Sequence, residues 1–92
     1  MVPEDINLRI NLDFPDPEER ALVASIISDL TTDFPPRILR CVLYVARGDL
    51  DRLGEAEKLA RIDYRDLIVA AEYDDSYKQV RDFNHPFTGQ ET

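Results

Sequence analysis

Between Ile6 and Phe14 the chain alternates: Ile6, Leu8, Ile10, Leu12 and Phe14 are separated by Asn7, Arg9, Asn11 and Asp13. A period of two predicts a half-buried strand or extended arm, and residues 1–15 are read as that arm. No second strand candidate follows. The arm must therefore lie along its own domain, pair with a second copy of the chain, or add to a partner's sheet. The four-residue spacing of Leu8 and Leu12 also keeps a helical reading of part of it open.

From Asp16 the rhythm becomes helical. In Asp16-Pro17-Glu18-Glu19 the aspartate suits a cap, the proline suits the first helical position and Glu19 stands where a capping box wants an acid. Leu22, Val23, Ile26, Ile27, Leu30 and Phe34 then share one face, and the helix should end near Thr32, before Pro35 and Pro36. A second helix, from about Pro36 to Arg47, is apolar over an arc of about 160° and is expected to be central. Gly48 ends it and Asp49 caps a third, Leu50 to Ala60, in which Gly54 implies close packing or a local irregularity. Asp63 caps a fourth, from about Tyr64 to Tyr73, with Tyr64, Leu67, Ile68 and Ala71 facing inward. The pattern dissolves after Asp74. The expected fold is all-α: a small array of about four helices, residues 16–75, with an extended N-terminal arm and an irregular C-terminal tail over residues 76–92.

Size and charge narrow the function classes. Ninety-two residues make one domain with a modest core. The apolar run from Val42 to Ala46 is far short of the ~20 residues that cross a bilayer. A single cysteine and the lack of a signal-peptide pattern at the N-terminus point to the cytoplasm. The net charge of −8 is carried mainly by the first third, where eight acids face only Arg9 and Arg20. A chain this acidic is a poor binder of phosphate backbones.

Candidate chemistry is sparse. Arg37, Arg40, Tyr44 and Arg47 fall within about 80° on one side of the second helix. Such a stripe grips an acidic protein partner, or phosphate and bases, unless acids of the first helix neutralise it. Val69 and Tyr73 form an outward pair on the fourth helix, suited to an interface unless the arm or the tail covers them. The third and fourth helices match a helix-turn-helix only loosely, and Asp63 and Asp66 would repel phosphate at the reading end. Cys41 reads as a small buried hydrophobe, and His85 is the only histidine. Metal-ligand spacing and phosphate-cradling glycines are missing, so no metal, cofactor or catalytic residue is assigned. Arg37-Ile-Leu-Arg-Cys-Val-Leu and Tyr64-Arg-Asp-Leu-Ile resemble patterns in short bacterial proteins, a likeness that transfers no activity. The expectation is a small acidic, non-enzymatic protein-interaction module whose partner is another protein or a second copy of itself. The alternatives are a nucleic acid-associated regulator and an acidic mimic of nucleic acid that binds a basic protein.

Overall fold

The computed structural model describes residues 2–88, so residues 89–92 of the expected tail lie outside the described part. Four helices follow one another: α1 (Glu4–Asp13), α2 (Pro17–Leu30), α3 (Pro36–Ala46) and α4 (Leu50–Glu72). The all-α expectation holds, and no strand forms among the described residues.

The extended arm is a helix. Its alternation was ambiguous, because every second apolar residue of a period-two pattern also satisfies the four-residue spacing of a helix. Ile6, Ile10 and Phe14 take the buried side, while Leu8 and Leu12, on the opposite side, remain 60% and 72% exposed. Local chemistry favours the helix. Pro3 precedes it, Glu4 and Asp5 stand in its first turn, and Arg9 pairs with Asp13 one turn on. A strand would have needed a neighbour to satisfy its backbone, whereas a helix satisfies its own.

The other boundaries follow their caps. Asp16 accepts a hydrogen bond from the Glu19 amide at 3.1 Å, and Pro17 occupies the first turn of α2. Asp49 accepts from the amides of Asp51 and Arg52 at 2.8 and 3.1 Å, opening α4. The two helices expected on either side of Asp63 abut as the halves of α4. Asp63 alone leaves helical geometry, at φ −157° and ψ 97°, and its carboxylate accepts the Arg65 amide at 3.1 Å. A capping side chain inside the ladder is the identifiable cause of this kink.

α3 packs chiefly on α4, and α1 lies against both α2 and α3. One core joins all four helices: Ile6 and Ile10, Val23 and Ile27, Leu39, Val42 and Leu43, and Leu53 and Leu67 are buried together. The segment after α4 is irregular apart from one bridge between Tyr73 and Gln79, yet it delivers Phe83 into this core. No helix among the described residues is long and apolar enough to cross a membrane.

Two glycines have opposite roles. Gly48 has φ +77°, and a β-carbon there would stand 2.9 Å from the Asp13 carbonyl oxygen, where the end of α1 meets the turn between α3 and α4. Gly54 has open space around it, so neither close packing nor irregularity explains it. Gly48→Ala should therefore destabilise by about 1–3 kcal/mol, and Gly54→Ala should stabilise by about 1 kcal/mol. Urea unfolding of the two variants beside the parent protein measures both signs.

Candidate functional site

The arginine stripe of α3 divides into two parts with different surroundings. Its N-terminal half is neutralised from inside the fold. Arg37 donates Nε and Nη2 to the two carboxylate oxygens of Glu72 at 2.9 and 2.7 Å, a paired arrangement that fixes the guanidinium plane. Arg40 donates in the same manner to Asp5 at 2.9 and 3.1 Å, and its Nη1 reaches the Phe83 carbonyl at 2.9 Å. The acids that meet these arginines come from α1 and α4, not from α2 as expected. The C-terminal half is different. Tyr44 is buried against Phe83 at 5.4 Å between ring centres, with the Arg81 and Arg47 guanidiniums 4.5 and 5.6 Å from its ring. Arg47 itself is exposed at the end of α3.

Glu72 is the centre of the first half. Its side chain is 0% exposed, an expensive position for a charge unless donors surround it. Besides Arg37, it accepts from the Gln79 side-chain amide at 2.9 Å, the Phe83 amide at 3.2 Å and the Cys41 thiol at 3.8 Å. Burial pushes this carboxyl up, but the donors, Arg37 first, outweigh it and hold it below its ordinary value. Asp5 is held low in the same manner: burial opposes, and Arg40 with the Phe87 amide prevails. Burial also raises the Cys41 thiol to about 12, reinforced by the adjacent Glu72 carboxylate. Such a thiol is protonated and a poor nucleophile.

Arg37 and Arg40 also line a cleft of about 610 Å³ between the start of α3 and the second half of α4. Phe34, Pro35, Ile38, Tyr64 and Ile68 give it an apolar surface. Tyr64, expected to face inward, is 49% exposed on this cleft. The kink at Asp63 begins a new helical half one residue before it. Val69 is 41% exposed, while Tyr73 is half-buried and its backbone bridges to Gln79. The tail therefore covers part of that outward pair, and neither residue lines the cleft. The helix-turn-helix resemblance fails on geometry, because one non-helical residue separates the halves of α4 where that motif needs a turn of about 3–4 residues.

Asp5, Glu72, Gln79, Phe83 and Phe87 were not singled out from sequence. Glu72 carried a faint signal, an acid close to the apolar face of α4 after Ala70 and Ala71. The others are placed by contacts distant in sequence. Comparison with protein-family models, with curated proteins and with solved structures returned no match.

Glu72→Gln should cost roughly 3 kcal/mol, because Arg37 would lose its buried counter-charge. Acid should act in the same direction. Both carboxyls lie below their ordinary values of 4.5 and 3.8 when folded, so their contribution is complete above pH 4.5 and is lost as pH falls through the lowered values. Stability measured by denaturant across pH 2–6 should rise with pH over that window, with a shallower slope in Glu72→Gln.

Proposed function

We propose that the chain is a non-enzymatic, cytoplasmic protein-binding module that receives a segment of a partner in the cleft between α3 and α4. The observation that carries this reading is the cleft itself, in which apolar side chains stand beside a guanidinium held in place by Glu72. Arg37 is clamped on one side by Glu72 and retains partial exposure on the other, with its side chain 28% accessible. A guanidinium held in this manner offers directed donors at little entropic cost, as hot-spot arginines in interfaces do. Tyr64 supplies the exposed aromatic beside it. A second copy of the chain is among the partners this surface fits.

The most elaborate ionisable groupings, around Glu72 and Asp5, are used to join α1, α3, α4 and the tail. That use favours a structural role for them over a catalytic one. The nucleic acid reading loses its main support, since Arg37 and Arg40 are already matched by carboxylates.

Affinity capture from the native cell lysate, with and without nuclease, tests the proposal. A stoichiometric protein, or the untagged chain itself, should be retained after nuclease, and Tyr64→Glu should lower its recovery at least tenfold. Retention by Tyr64→Glu with loss in Val69→Ser/Tyr73→Ser would move the interface to the outer side of α4. Recovery of nucleic acid alone would overturn the reading.

A further inference from the structure

The arginines of this protein are almost all engaged. Arg9, Arg37, Arg40, Arg61 and Arg65 pair with carboxylates. Arg20 donates to the carbonyls of Phe14 and Pro15, and Arg81 to that of Ala71. Among the described arginines only Arg47 and Arg52 donate no side-chain hydrogen bond and form no ion pair, and both line the same pocket. It lies between the end of α3 and α4, lined on α4 by Arg52 to Leu59 and by Ala70 beyond the kink, and has a volume of about 370 Å³.

The pocket has a polar edge and an apolar base. Ala56 is buried and Leu59 half-buried beneath it, and the Tyr44 ring closes one side with the Arg47 guanidinium 5.6 Å from its centre. Glu55 also lines it and forms no ion pair with either arginine. Arg47 holds its place through an uncommon backbone conformation. It is a non-glycine residue at φ 49° and ψ 41°, closing α3 with its amide on the Leu43 carbonyl at 3.2 Å. Such a conformation costs of order 1–2 kcal/mol, and glycine is the usual residue there.

We propose that this pocket is a binding site for a small organic carboxylate with an apolar body, its head between Arg47 and Arg52 and its body over Ala56 and Leu59. Charge decides the head: two guanidiniums that pair with no carboxylate, Glu55 on the same rim included, present planar forks that fit one. Size limits the body. A cavity of about 150 Å³ admits benzene, so this pocket accommodates one ring with a short chain, or a medium-length acyl chain. Bare phosphate would leave the apolar base unused. The site shares no lining residue with the cleft and does not depend on the protein-binding proposal.

Titration of the full ¹⁵N-labelled chain with phenylacetate, phenylacetamide and inorganic phosphate tests it. Phenylacetate should give saturable shifts confined to residues around Val45, Arg52 and Leu59, at sub-millimolar to millimolar concentration. The neutral amide and phosphate should each bind at least tenfold more weakly. Arg52→Gln, at an exposed position, should weaken phenylacetate about tenfold, and Arg47→Gln/Arg52→Gln should abolish saturation, with both variants unfolding at the parent temperature. Equal binding of acid and amide, equal binding of phosphate, insensitivity to Arg52→Gln, or no saturable shift at 10 mM phenylacetate would each overturn the assignment.

Discussion

A carboxylate with no exposure to water must be met by donors, and that constraint organises this protein. Glu72 closes α4, and its side chain is completed by groups from α3 and the tail: Arg37, Gln79 and the Phe83 amide. Its backbone carbonyl accepts from the amides of Val80 and Arg81 as well, at 2.8 and 3.1 Å. The chain after α4 has no regular structure to give it a position, and Glu72 is where its first ties converge. Once Phe83 is placed, its carbonyl is in reach of Arg40, and Arg40 in turn holds Asp5 of α1. Asp5 then accepts the Phe87 amide at 3.1 Å, joining residues 82 positions apart. Both ends of the described chain are thus tied to α3 through charge-assisted hydrogen bonds.

Such a network contributes less to stability than its bond count implies, because each buried charge loses hydration before it gains a partner. Its stronger effect is on uniqueness. The apolar residues of α1 offer two opposite faces to bury, Ile6 with Ile10 and Leu8 with Leu12. The Asp5–Arg40 pair selects the rotation that leaves Leu8 and Leu12 outside. No buried side-chain nitrogen or oxygen among the described residues lacks a partner, so the selection leaves no unsatisfied group behind.

Local chemistry was legible in the sequence where caps and period agreed. Asp16, Asp49 and Asp63 opened helical segments where their side chains said they would, and the wide apolar arc of α3 made it central. The N-terminal segment was misread because five alternating residues satisfy two periods at once, and only tertiary burial separates them. Arg37 and Arg40 were recognised as a pair on one face, but their counter-charges lie 35 residues away in each direction. Pairing at that range depends on the crossing of helices, which periodicity does not encode. Phe83 falls in the segment expected to be an irregular tail, and its burial depends on contacts that no local pattern encodes: Glu72 accepts its amide, Arg40 donates to its carbonyl and Tyr44 packs on its ring.

The division of the α3 stripe follows from the same geometry. Acids reach Arg37 and Arg40 because the end of α4, the start of α1 and the tail all converge on the N-terminal half of α3. At the other end the tail supplies Phe83 and Arg81 against Tyr44 but no carboxylate, and the side chain of Asp49 in the adjoining turn is occupied in capping. An aspartate accepting two backbone amides is a weaker counter-ion for a guanidinium beside it. Arg47 is left with an aromatic face and no carboxylate, and Arg52, one turn into α4, is left with neither. Four residues placed on one side of one helix therefore serve two purposes, and the difference between them is set by which acids the fold brings near and what those acids are already bonded to.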